Sequence, residues 1–140
     1  MTNEIRHARS QGFSLIELLL VLALIGILSA IAIPSYLGQR RRAKVIGDAM
    51  SNARAMAMAL ESTRAENGIY GTDGTYSWSG GSSPSPNPIP AFNPGDSQMA
   101  YSLVIGGSGM AYTLSVIAPE YGNATAYQTD QTGAQLARLQ

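Results

Sequence analysis

Gly12-Phe13-Ser14-Leu15-Ile16-Glu17 opens a long apolar run, Leu18 to Ile33, that ends at Pro34. No charged residue occurs from Leu18 to Gln39. Phe13 to Ile33 is 21 residues, and a helix rises ~1.5 Å per residue, so the stretch covers ~31 Å. The hydrocarbon core of a bilayer is ~30 Å thick. The span therefore has the length of a transmembrane helix. One carboxylate, Glu17, sits just inside it, and an ionisable group in such a span is a functional-site candidate by default.

Outward from this stretch, the chain has 140 residues with 9 basic and 9 acidic side chains. That is room for one domain and one membrane helix. The even charge balance gives no general affinity for nucleic acid, and no cationic stripe lies in the C-terminal region. Cysteine is absent and there is one histidine, His7, so disulfides are excluded. If Met1 to Gly12 is a removable leader, Glu4, Arg6, His7 and Arg9 leave with it. The remaining chain then has neither histidine nor cysteine, which excludes histidine bases, cysteine nucleophiles and the usual zinc sites. No nucleotide-binding glycine motif or nucleophile elbow is present. The expectation is a protein that is not an enzyme and has no cofactor or metal.

Gly12-Phe13-Ser14-Leu15-Ile16-Glu17-Leu18 resembles the class III signal of type IV pilins and pseudopilins. In that family a short charged leader ends in glycine, the mature chain begins with phenylalanine, and glutamate is its fifth residue. The resemblance implies cleavage after Gly12, N-methylation of the new terminus at Phe13, and an assembly role for Glu17 together with Phe13. Gly26 and Pro34 fall where many type IV pilins carry helix-weakening residues. Proline removes a backbone donor and clashes with the preceding turn, so a kink is expected near Gly26 and Pro34.

An ordinary secretory signal is the first rival, with Arg6 and Arg9 as its basic region, Leu15 to Leu28 as its apolar region, and Ala30-Ile31-Ala32 as its cleavage site. Glu17 would interrupt that apolar region, and the run exceeds the usual 7–15 residues. An uncleaved anchor explains the length but not the Gly-Phe-x-x-x-Glu spacing. Arg40, Arg41, Arg42 and Lys44 form a basic juxtamembrane cluster after the span. The positive-inside rule would put that side in the cytoplasm, whereas the resemblance implies a cytoplasmic leader. The cluster is expected to meet lipid head groups or acidic groups of neighbouring subunits.

From Gln39 to about Glu66 a helical stripe recurs at spacings of three and four: Val45 or Ile46, Ala49, Met50, Ala53, Met56, Ala57, Leu60. Asn67-Gly68 is a helix stop. Residues 68–98 hold Pro84, Pro86, Pro88, Pro90 and Pro94 and read as a long loop, with turns at Asp73-Gly74 and Gly80-Gly81. Ser82 to Pro90 is expected to be extended. Tyr70, Tyr76, Trp78 and Phe92 are expected to pin the loop to the body. Asp73 and Asp96 lack a calcium-loop pattern and read as turn residues. Asn123-Ala124-Thr125 fits a glycosylation triplet, and Ser82, Ser83 and Ser85 are candidate O-glycan positions.

Residues 99–140 alternate as antiparallel strands: Tyr101 to Ile105, Tyr112 to Val116, Ala124 to Thr129, and a short return over Ala134 to Leu139. The expected class is α+β, a long N-terminal helix on an antiparallel sheet of three to four strands. The expected segments are leader 1–12, apolar helix 13–38, amphipathic helix 39–67, loop 68–98 and sheet region 99–140. The resemblance implies a structural subunit of a type IV pilus. It would be stored in the bacterial inner membrane with its N-terminus cytoplasmic, then polymerised into an extracellular filament. Its implied partners are other pilin subunits, a prepilin peptidase that is also the N-methyltransferase, and an assembly platform with its ATPase. A pseudopilin of a type II secretion system and a membrane-anchored binding protein that never polymerises are the alternatives.

Overall fold

A computed structural model describes residues 12–79, 81–95 and 97–139. Positions 1–11 of the expected leader, Gly80 of the Gly80-Gly81 turn and the candidate turn residue Asp96 lie outside the described residues. The chain divides between Gln39 and Arg40, and a helix, α1 (Leu15–Asn67), contributes to both parts. In the first part nearly every residue of the helix is exposed. Leu15, Ile16, Leu20 and Ile31 are each at least 66% exposed, which is the reverse of how a water-soluble protein treats leucine and isoleucine. Pro34 lies inside the helix. The helix therefore does not end at Ile33, although proline leaves the Ala30 carbonyl without its usual backbone donor.

In the second part, beginning at Arg40, the helix buries one stripe: Val45, Ile46, Ala49, Ala53, Met56 and Leu60. Met50 and Ala57 are half-buried at its margin. Gly68 takes a left-handed conformation, φ 81°, and its N–H donates to the Arg64 carbonyl at 2.8 Å, closing the last turn.

Against the stripe lies a five-stranded antiparallel sheet in sequential order. The strands are β1 (Gly74–Trp78), β2 (Ala100–Gly106), β3 (Ala111–Ala118), β4 (Ala124–Asp130) and β5 (Gln135–Arg138). Strict alternation decides the faces. Tyr101, Leu103 and Ile105 of β2 and Tyr112, Leu114, Val116 and Ala118 of β3 are buried and join the helix stripe in one core. A register shift follows Val116, which pairs with Tyr127, while Ile117 pairs with Thr125. This bulge turns two consecutive residues, Ala126 and Tyr127, inward. It explains why alternation in β4 reads weakly from sequence.

The count of five corrects the expected three to four strands. The additional strand is β1, inside the segment read as an uninterrupted loop. It pairs with β2 from Gly74↔Ile105 to Trp78↔Tyr101, so its partner is far along the chain and its own alternation, Thr75-Tyr76-Ser77-Trp78, is short. Tyr70, Trp78 and Phe92 are buried, and Tyr76 is at the margin of burial. Phe92 stands edge-on to both Trp78, at 6.2 Å, and Tyr101, at 5.4 Å. Within the remaining loop, Ser79 and Ser82 form an isolated bridge.

Candidate functional site

The N-terminal site is built by helix initiation. Ser14 precedes the first helical residue, and its carbonyl accepts from the Leu18 N–H at 3.2 Å. Its own N–H donates to Glu17 Oε2 at 3.1 Å. That is the glutamate half of a capping box, in which the third helical residue reaches back to satisfy the N-cap amide. The carboxylate also sits at the positive end of the helix dipole. The Ser14-x-x-Glu17 spacing carries this signal in the sequence, yet the reading of Glu17 as an assembly residue passed over it. Gly12 and Phe13 precede the helix in an exposed, non-helical stretch, with Phe13 86% exposed. Glu17 lies about one helical turn along the chain from Phe13.

Gly26 and Pro34 lie farther along α1. A Cβ added at Gly26 would meet nothing within 4 Å, so packing within the chain does not require glycine there. Arg40, Arg41, Arg42 and Lys44 are all exposed and begin the second part of the chain. Arg41 and Lys44 line a groove of about 950 Å³ beside Asp48, Asn52, Ser97 and Glu120.

At the far end of the same helix a second polar cluster fixes the helix to the sheet. Arg64 Nη1 donates to the Tyr70 hydroxyl at 2.8 Å, which donates to Glu61 Oε1 at 2.8 Å. Burial, then the Glu61 hydrogen bond, raise the Tyr70 pKa, with Arg64 opposing. The ring of Tyr112 packs edge-on against Tyr70 at 4.8 Å. Burial first, and then the negative charge of Glu61, push the Tyr112 phenol up to about 12. Asp73 takes the role expected of a turn residue in an unforeseen place. Its carboxylate accepts from the Ser108 and Gly109 amides at 3.1 and 2.7 Å, in the β2–β3 turn. Gly109, at φ 79°, is obligatory here: a Cβ would strike the Gly71 carbonyl oxygen. In the β4–β5 turn, hydrogen bonds from the Thr132 hydroxyl and amide hold the Asp130 carboxyl below its ordinary range. These clusters are structural clamps. Among the described residues no three histidine, cysteine or acidic side chains stand close enough to hold a metal ion.

Residues 7–33 match the family described as the prokaryotic N-terminal methylation motif. The type IV major pilin protein PilA of Myxococcus xanthus is 44% identical over 64 residues, 46% of this chain and 29% of that protein. The type IV major pilin protein PilE of Neisseria gonorrhoeae is 38% identical over 65 residues, 46% of this chain and 38% of that protein. A type IV major fimbrial protein, FimA, of Dichelobacter nodosus is 43% identical over 68 residues, 49% of this chain and 42% of that protein. The chain thus spans less than half the length of these relatives. No solved structure matches it. The chain thus carries a prokaryotic N-terminal methylation motif, and its N-terminal portion is similar to those of type IV pilins and fimbrial proteins.

Proposed function

We propose that the protein is the structural subunit of a type IV pilus filament, held in a membrane through α1 before assembly and carried on the cell surface after it. One observation carries the reading. The first part of α1 exposes an apolar surface on all sides and has no polar face to offer water. Such a helix needs lipid or other apolar helices around it. A bilayer supplies the first environment and a filament core of identical helices the second. A head-to-tail contact that does not close into a ring generates an open filament.

In this reading a prepilin peptidase cuts after Gly12 and methylates Phe13. An assembly ATPase acting through a platform protein then moves the subunit out of the inner membrane, where its N-terminus faces the cytoplasm. Cleavage creates an ammonium on Phe13, near the carboxylate that caps the helix. In a packed filament the carboxylate loses water, and the ammonium of an adjacent subunit neutralises it and sets the axial register. The contribution is specificity more than affinity, because buried ion pairs often do little better than break even. In this reading the role is structural.

The test is electron microscopy of surface filaments in a strain lacking the gene, with mass spectrometry of sheared filaments. Loss of filaments on deletion, and this chain as a filament component, are the expected results. Filaments of normal number and composition without it would reject the reading.

A further inference from the structure

We propose that the groove at the start of the second part of the chain binds the head group of a zwitterionic phospholipid bearing a primary ammonium, a phosphoethanolamine. The inference rests on the reading of the chain as membrane-stored. The groove carries two cations, Arg41 and Lys44, and two carboxylates, Asp48 and Glu120. All four side chains are exposed, so each is available to an outside partner. An anion alone would satisfy the first pair and be repelled by the second. A zwitterion satisfies both.

The order of the charges matches the order of charges in a lipid. Arg41 and Lys44 belong to the basic run, beginning at Arg40, that follows the uncharged stretch ending at Gln39, and Asp48 comes after them. From Lys44 to Asp48 the helix rises about 6 Å, the scale of the two-carbon arm that joins phosphate to ammonium. In a bilayer the phosphate lies nearer the acyl chains than the ammonium does. Helical side chains also lean toward the N-terminus, which carries the two cations back toward the apolar stretch. Lys44 and Asp48 share a helix face, but lysine ahead of the acid is the weaker order for a pair within one helix. Both therefore retain capacity for an external ion.

The groove has a fixed back wall. Asn52 Nδ2 donates to the Tyr101 hydroxyl at 2.8 Å, and that hydroxyl shares a 2.7 Å hydrogen bond with Ser97 Oγ. Ser97 Oγ in turn accepts from the Met99 amide at 3.2 Å. Tyr101 is buried, so this relay anchors helix, loop and sheet behind the charged rim. The apolar part of the lining, including Val45 and Met99, suits the glycerol backbone.

The full chain, solubilised in a mild detergent, is offered phosphatidylethanolamine, phosphatidylcholine and phosphatidylglycerol in equal amounts, and retained lipid is read by native mass spectrometry. Phosphatidylethanolamine should be retained about fivefold over each of the others, the scale of two solvent-accessible ion pairs. Arg41→Gln with Lys44→Gln should lower retention of all three. Asp48→Asn with Glu120→Gln should erase the advantage over phosphatidylcholine, whose quaternary ammonium cannot donate to a carboxylate. Helix content by circular dichroism should stay unchanged in both double variants, since all four positions are exposed. Equal retention of the three lipids by the unsubstituted chain, or unchanged selectivity in the Asp48→Asn, Glu120→Gln variant, would overturn the proposal. Flotation with vesicles reads membrane association separately: a chain that floats but shows no selectivity defeats only the head-group site, and one that fails to float defeats the membrane reading and this inference with it.

Discussion

The two halves of α1 follow opposite rules under one secondary structure. Up to Gln39 the helix exposes leucine and isoleucine on every side. From Arg40 onward it hides one stripe and exposes the rest. The first half is exposed in the chain itself, so an apolar surface of this kind needs lipid or other apolar helices around it. The second half finds its partner within the chain, in the sheet. The halves should therefore respond differently to substitution: the first in processing and assembly, the second in folding.

The largest effect is expected at Gly12. Gly12→Val should leave an uncut chain that accumulates in the membrane, while the unsubstituted protein should show an intact mass beginning at Phe13 with a methyl group. A mature terminus at Ile33 would instead establish a secretory signal and break the comparison at its root. Next is Glu17, where two roles can be separated. Glu17→Gln keeps an acceptor for the Ser14 amide but loses the charge; Glu17→Leu loses both. Both should insert and be cut normally yet assemble poorly if, as proposed, the charge sets the register. Normal filament yield from both, at equal subunit levels, would remove the ion-pair account of this site.

The third test contrasts the halves directly. Leu60 is fully buried and Leu22 is 58% exposed. Leu60→Ala should cost about 2–5 kcal/mol of unfolding free energy, as core leucine truncations do, whereas Leu22→Ala should leave denaturant unfolding of the sheet region unmoved. A smaller effect is expected at Asp73. Asp73→Ala removes the acceptor of the buried Gly109 amide and should cost about 1–2 kcal/mol, with faster hydrogen exchange confined to the β2–β3 turn.

The smallest effect is visible only at alkaline pH. Tyr112 is raised from an ordinary value of 10.0 to about 12, so folding favours its neutral form. The associated stability is complete below pH 10.0 and is lost as pH rises through about 12. Tyr112→Phe should flatten that alkaline loss, read as the urea midpoint against pH. An unchanged alkaline slope would show that Tyr112 is not the titrating group.

Much of the second half was legible because burial there follows a simple period. Spacings of three and four picked out Val45, Ala49, Ala53, Met56 and Leu60, and all are buried. Period-two alternation picked out the inward residues of β2 and β3. Two features resisted for physical reasons. β1 is short, and its pairing with β2 spans the proline-rich segment, so no local pattern announces it. The bulge after Val116 places Ala126 and Tyr127 on one face, which breaks the alternation that sequence reading depends on.

The candidate sites divide in the same way. The sequence by itself determined the Gly12-Phe13 pair, the position of Glu17, the apolar span and the basic cluster after it, because each is a matter of residue type at fixed spacing along one continuous stretch. Only the tertiary structure decided that Asp73 clamps the β2–β3 turn, that Tyr70 joins Glu61 to Arg64, and that Arg41 and Lys44, but not Arg40 or Arg42, share a groove with Glu120. The first and last of those groupings bring together residues far apart in the chain, and the second needs the turn after the helix to fold Tyr70 back onto it. Helix rotation and strand register set them, and neither is written in any one local stretch.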